Sequence, residues 1–430
     1  MTIHIKNGVL VDPLESNESI TDIFIDGNLI VGIGKSPSGF KPEQTIDAKG
    51  QWVVPGLVDG HARLREPGQT HKANIASETS AAVKNGITSL CVPPDTQPTI
   101  DNSAVVDLIH HQNAKAGNQC HIFTVGALSR ELEGEHLSNM ASLKENGCIA
   151  FSNAGRPFIN NLVQRRAMEY AAGEGMLVII QPRDDDLYAN GCAHEGAIST
   201  RLGLPAIPEA AETAALAKDI ELVAQTGART HFGQLSCARS VDMIRQAKAN
   251  GLPVTSDCAM HQLFLADHDI GDFDTNKLTI PPLRGQYDKQ VLREGIADGT
   301  IDSICSDHQP HEIDAKLCPF PSAEPGISAF DTLLPLAIRL VEENVLTLPE
   351  AIAKLSIKPA RILGLPAGHI AVGELADIVV VDPDAHWLCV GKNFASRGKN
   401  TAFEGWDFNG RVSYTLVAGK VVYQRSLSES

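Results

Sequence analysis

The chain has 430 residues, with 36 Lys and Arg against 52 Asp and Glu, so its formal charge is −16. That acidity excludes non-specific nucleic-acid binding, which needs a basic footprint. A hydrophobic content of 43% excludes a largely disordered chain, and no apolar run approaches the roughly 18 residues a membrane span requires.

In chain order, segments 2–11 and 21–33 come first. Both alternate apolar and polar residues between Gly-rich turns, the pattern of half-buried strands. The first residues, Met1-Thr-Ile-His-Ile-Lys6, lack the apolar segment of a signal peptide. A different rhythm follows, in which short apolar runs precede helical stretches rich in Ala, Leu, Glu and Lys. The runs are Trp52–Asp59, Thr88–Pro93, His121–Gly126, Cys148–Phe151, Leu177–Gln181, Thr230–Leu235, Pro253–Asp257 and Asp302–Ser306. They are apolar along both faces, as strands buried on two sides should be. Strand patterns return at Gly373–Asp382 and Val412–Gln424.

Eight such runs alternating with helices predict a (β/α)8 TIM-like barrel over residues 55–365. The outer pieces, 1–54 and 366–430, predict one small β-sandwich built from both chain ends. A doubly wound open sheet is the alternative, but no Gly-x-Gly-x-x-Gly turn supports its nucleotide-binding form. The 9 cysteines form no Cys-x-x-Cys pair, which predicts reduced thiols and a cytoplasmic protein.

Barrel chemistry lies where strands end and βα loops begin. Strand one leads into Asp59-Gly-His61-Ala-Arg63-Leu-Arg65-Glu-Pro-Gly68, and strand two into Pro93-Pro-Asp95. Strand four leads into Ser152-Asn153, and strand five ends at Gln181-Pro-Arg183. Strand six carries His231-Phe-Gly-Gln234, and strand eight gives Ser306-Asp307-His308-Gln-Pro-His311.

These segments, with Ile280-Pro-Pro-Leu-Arg284 and Gly373-Glu-Leu-Ala-Asp377, resemble the dihydroorotases of the amidohydrolase superfamily, in the same order and over nearly the whole chain. The resemblance implies a metal-dependent hydrolase barrel. It also implies the site of the active members: two zinc ions held by His-x-His after strand one, a carboxylate after strand four, one His each after strands five and six, and Asp after strand eight. Paired zinc ions lower the pKa of a bridging water and polarise the amide carbonyl.

Much of that set is missing. His61 and Asp307 stand at metal positions, but Arg63, Asn153, Gln181 and Gln234 replace the other expected ligands. Arg has no lone pair to offer, and its charge about 4 Å from Zn²⁺ is repulsive by several kcal/mol even at an effective ε near 20. Neutral Asn and Gln are weak zinc ligands. The substrate-binding positions Arg65, Asp95 and His311 are equally vestigial. Arg65 and His311 match the family, whereas Asp95 and Ile280 replace two Asn residues, and the Asp95 carboxylate would repel an anionic substrate. Asp307 is then a vestigial catalytic position, no cofactor is expected, and Arg63 is expected to pair with Asp307 where a zinc would lie. A single residual metal on His61 and Asp307 is the alternative.

Plainer readings stand beside these. His61, His231 and His308 read more readily as buried barrel histidines than as metal ligands. Arg65 reads as an anion ligand or as the partner of Glu66. Cys91, Cys237, Cys258 and Cys305 read as buried apolar residues. By resemblance to a non-catalytic dihydroorotase-like subgroup, the expected partners are aspartate transcarbamoylase catalytic chains, with the protein itself a homodimer. Two alternatives remain open: an active dihydroorotase with an atypical metal site, and an amidohydrolase-fold protein with another ligand.

Overall fold

The computed structural model describes residues 1–426. Its centre is eight parallel strands: Leu57–Asp59, Ile87–Val92, His121–Ala127, Ala150–Ser152, Val178–Ile180, Thr230–Phe232, Val254–Ala259 and Ser303–Cys305. They pair in sequence order from first to eighth, with helices between them. This is the expected (β/α)8 barrel. Side chains on both faces of these strands are largely buried, because the inward set fills the barrel and the outward set meets the helices.

The seam between the first and eighth strands is closed by side chains and loops rather than by a regular ladder. Ser306 donates its backbone N–H (3.0 Å) and its hydroxyl to the buried Asp59 carboxylate. Just beyond, Arg63 N donates to His308 O at 2.9 Å.

The run Trp52–Asp59, expected as one barrel strand, is two. Trp52–Pro55 pairs with the chain-end strands Thr2–Asp12 and Ile378–Leu388, and only Leu57–Asp59 enters the barrel. Gly56 marks the break: a Cβ there would lie 2.1 Å from Thr88 Oγ1, so only glycine lets the chain cross at this point.

Both chain ends build one continuous sheet. Its order is Lys420–Gln424, Asp407–Val417, Ile378–Leu388, Trp52–Pro55, Thr2–Asp12, Asn17–Asp26 and Leu29–Ile33, with Gln44–Asp47 also paired to Thr2–Asp12. The sheet curls over its own core, bringing Ile3, Ile23 and Ile46 into one cluster with Ile378 and Leu416.

Two polar clamps tie the layers together. Glu78, buried on the first helix (Ile75–Lys84), pairs with His308 Nε2 at 2.8 Å and accepts from the Ser396 hydroxyl (2.6 Å) and Arg397 N (3.1 Å). The His308 ring in turn stacks on Phe330 at 3.6 Å. The second clamp joins His121, at the start of the third barrel strand, to Asp377 at 3.0 Å. Among the described residues no helix is long and apolar enough to cross a membrane.

The hydrogen bond to Asp377 raises the His121 pKa above its ordinary value, against burial, which lowers it. A raised folded-state pKa gives stability that is complete below the ordinary value of about 6.5 and lost as pH rises through the folded value. His121→Ala should therefore cost up to about 1 kcal/mol near pH 5.5 and clearly less near pH 8.5. Urea midpoints at the two pH values check this, and equal losses would contradict it.

Candidate functional site

The loops after strands one, two, four, five and eight converge on the C-terminal mouth of the barrel, around a cavity of about 570 Å³ lined by Arg63, Arg65, Asp95, Gln181, Ile280 and His311 among others, whereas His231 and Gln234 of strand six line a separate, deeper cavity with His61 and Asp257. At the floor of the mouth cavity lies Arg63. Its Nε donates to Asp95 Oδ2 at 2.7 Å, and its Nη1 lies 3.5 Å from Asp307 Oδ1. The expected pairing with Asp307 is present, but Asp95 is the closer partner. The sequence treated Asp95 only as a residue that repels substrate, whereas the structure makes it the main anchor of Arg63.

Burial governs the charges here. Asp307 is 1% exposed. Loss of hydration pushes its carboxyl up to about 7, with Arg63 and a hydrogen bond from Gln309 Nε2 (3.0 Å) pulling the other way. For Asp95 burial acts in the same direction, but the bonded guanidinium of Arg63 more than offsets it and holds the carboxyl below the usual range. His61 lies with Nε2 3.8 Å from Asp307 Oδ1, and burial followed by the Arg63 charge lowers it to about 4, so the ring is neutral.

Of the other replaced positions, Asn153 has structural work of its own. The Asn153 carboxamide accepts from the Ser129 hydroxyl at 2.6 Å and donates to Arg156 O at 3.1 Å, stitching the third and fourth loops together. Gln181 lies against Gly155, where a Cβ would stand 2.8 Å from its Oε1. Gln234 has a left-handed backbone (φ 58°), and its N–H donates to Asp257 Oδ1 at 2.6 Å. Asp257 also pairs with His231 Nε2 at 2.9 Å. Burial raises the Asp257 carboxyl, but these bonds bring it below the usual range. Sequence motifs missed Asp257, although an acidic residue at the end of the seventh run was a usable signal.

The positions expected to meet substrate are likewise engaged. Arg65 donates to Pro310 O at 3.0 Å and to Gln69 Oε1 at 3.2 Å, and its Nη2 lies 3.0 Å from His311 Nε2. It does not pair with Glu66, whose carboxylate instead accepts from Ile75 N at the start of the first helix. Burial and the charges of Arg65, Lys316 and Lys72 push His311 down to about 2, so it is neutral. Lys72 bonds His311 Nδ1 at 3.1 Å and pairs with Glu324, a contact across 252 residues that no motif foreshadowed. Cys91, Cys237, Cys258 and Cys305 are buried thiols whose pKa values burial raises.

These residues do not fit a binuclear zinc centre. A guanidinium fills the space between Asp95 and Asp307, and Asn153 spends its carboxamide on neighbouring loops. Among the described residues no three His, Cys, Asp or Glu side chains converge on a metal-binding point.

The sequence model of the Amidohydrolase family matches residues 52–422. A dihydroorotase-like protein of Pseudomonas aeruginosa is 45% identical over 424 residues, covering 99% of this chain and 100% of the relative. A dihydroorotase-like protein of Pseudomonas putida is 46% identical, covering 98% and 99%. A dihydroorotase of Geobacter metallireducens is 42% identical, covering 99% and 100%. Among solved structures, the L-hydantoinase (dihydropyrimidinase) of Arthrobacter aurescens superposes with a TM-score of 0.87 at 21% identity, over 98% of this chain and 96% of that one, a likeness of fold alone.

Removing Arg63 leaves the buried Asp307 and the half-buried Asp95 without their cation. Arg63→Met should destabilise the protein by about 3 kcal/mol near neutral pH, and adding Asp95→Asn should recover part of that loss. Chemical unfolding of the single and double variants measures both effects. An unchanged midpoint for Arg63→Met would show that Arg63 is not the countercharge of the mouth.

Proposed function

The chain belongs to the amidohydrolase family, as a relative of the dihydroorotases, and from that membership we propose a non-catalytic protein of pyrimidine biosynthesis. It keeps the barrel, has given up hydrolysis of the cyclic amide, and serves as an assembly partner of aspartate transcarbamoylase catalytic chains. The observation that carries this reading is the Arg63 guanidinium bonded to Asp95 and lying 3.5 Å from Asp307. Hydrolysis in active members requires a metal-activated water. A fixed cation repels a second cation at that point, and a protonated Arg cannot serve as its base. Two relatives with nearly complete mutual coverage carry the name dihydroorotase-like protein, which is consistent with departure from the enzyme.

One observation favours a second reading. His61 and Asp307 remain 3.8 Å apart, and such a pair could retain one metal in an atypical, active dihydroorotase. Metal analysis and dihydroorotate turnover on purified protein separate the two. The proposal expects no stoichiometric zinc, no turnover, a homodimer by light scattering, and co-elution with aspartate transcarbamoylase catalytic chains. Zinc at one or two equivalents together with turnover would overturn it.

Rebuilding the ligand set extends the test. Arg63→His, Asn153→Asp, Gln181→His and Gln234→His together should restore zinc uptake but very little turnover, because Asp95 and Ile280 still line the mouth. Vigorous hydrolysis by this fourfold variant would show that substrate recognition had survived intact.

A further inference from the structure

Two loops on the mouth side of the barrel, bonded to each other, expose large apolar side chains. Phe273, in the loop after the seventh strand, is 46% exposed; Ile313 and Leu317, in the loop after the eighth, are 69% and 75% exposed. Hydrogen bonds lock the loops together: the Thr275 hydroxyl donates to Lys316 O at 2.7 Å, and Lys316 Nζ donates to Thr275 O at 3.1 Å. Phe273 is held at φ +59°, a left-handed conformation that costs an aromatic residue about 1 kcal/mol. Apolar side chains kept in water on a stitched, strained scaffold mark a contact surface rather than a loose loop.

The charges around this patch identify what covers it. Asp272 and Asp314 are exposed beside it, and the Glu312 and Glu324 carboxylates reach solvent at its inner edge. The nearby ammonium groups of Lys72 and Lys316 are turned inward and buried, and that of Lys277, partly exposed, is paired with Asp274 at 3.6 Å. The rim presented to a partner is therefore acidic. A second copy of this chain would bring a like-charged rim against it, and an anionic membrane would be repelled in the same way.

We infer that Phe273, Ile313 and Leu317 form the centre of a docking surface for a different protein chain, one that presents an apolar pocket framed by Lys and Arg. This rests on the partner reading above, and takes the aspartate transcarbamoylase catalytic chain as that protein. Exposed apolar anchors at the centre of an interface carry most of its energy, while the charged rim sets the association rate.

The test measures binding of the full-length protein to aspartate transcarbamoylase catalytic chains of the same organism. Ile313→Asp and Leu317→Asp should each weaken the complex about 10-fold or more, and Asp314→Lys should slow association. Ile20→Asp, at a residue 78% exposed on the chain-end sheet, should bind like the unmodified protein. These surface changes leave the melting temperature nearly unchanged. Undiminished binding by both Ile313→Asp and Leu317→Asp would overturn the surface and leave the partner reading standing. Failure of the unmodified protein to bind would overturn both. Loss of the protein's own oligomeric mass in Ile313→Asp or Leu317→Asp would show that a second copy covers the patch, which also overturns it.

Discussion

A half-buried cation at the barrel mouth is the constraint around which the rest is arranged. The C-terminal ends of the strands gather Asp59, Asp95, Asp257 and Asp307 into a region from which water is largely excluded. Carboxylates so placed need compensation. In active members of the family two zinc ions would supply four positive charges, and here Arg63 supplies one. The neighbours fit the smaller charge. Asp257 is satisfied separately by His231 and the Gln234 amide. Asp307 is raised to about 7 by burial and carries only part of a negative charge. Asn153, neutral where the family has an acid, adds nothing to the imbalance. The Arg63 countercharge and the neutral Asn153 carboxamide are thus two parts of one electrostatic arrangement.

Much of the barrel was legible because its strands are buried on both faces and stand out as short apolar runs. The division of Trp52–Asp59 was not, since both halves are apolar and equally buried, and only Gly56 hints that the chain changes sheets. The positions facing the mouth were legible from motifs. Their bonding was less so. Arg63 was matched to Asp307 across the seam, while its shorter bond to Asp95 depends on how two loops approach each other. The Lys72–Glu324 contact spans most of the chain and leaves no local signature.

Several non-glycine residues of the mouth hold an unusual backbone. Arg65, Ala154, Gln234 and Asp307 all hold left-handed conformations, with φ between 49° and 64°. Such conformations cost non-glycine residues about 1 kcal/mol or more each and persist where surrounding structure enforces them. Seam bonds through Asp59, the Glu78–His308 clamp and the Asn153 stitch supply that enforcement. These bonds make the rim of the mouth rigid.

The chain-end sheet has a consequence for biosynthesis. Trp52–Pro55 is sandwiched between Thr2–Asp12 on one edge and Ile378–Leu388 on the other. On the ribosome the first of these neighbours is present almost at once, but the second emerges only after the whole barrel has been translated. Until then one side of a hydrophobic strand stands open, a template for pairing with any other nascent chain. Late arrival of the carboxyl-terminal strands is therefore the step that seals the molecule, and crowded polysomes are where it is most exposed to misassembly.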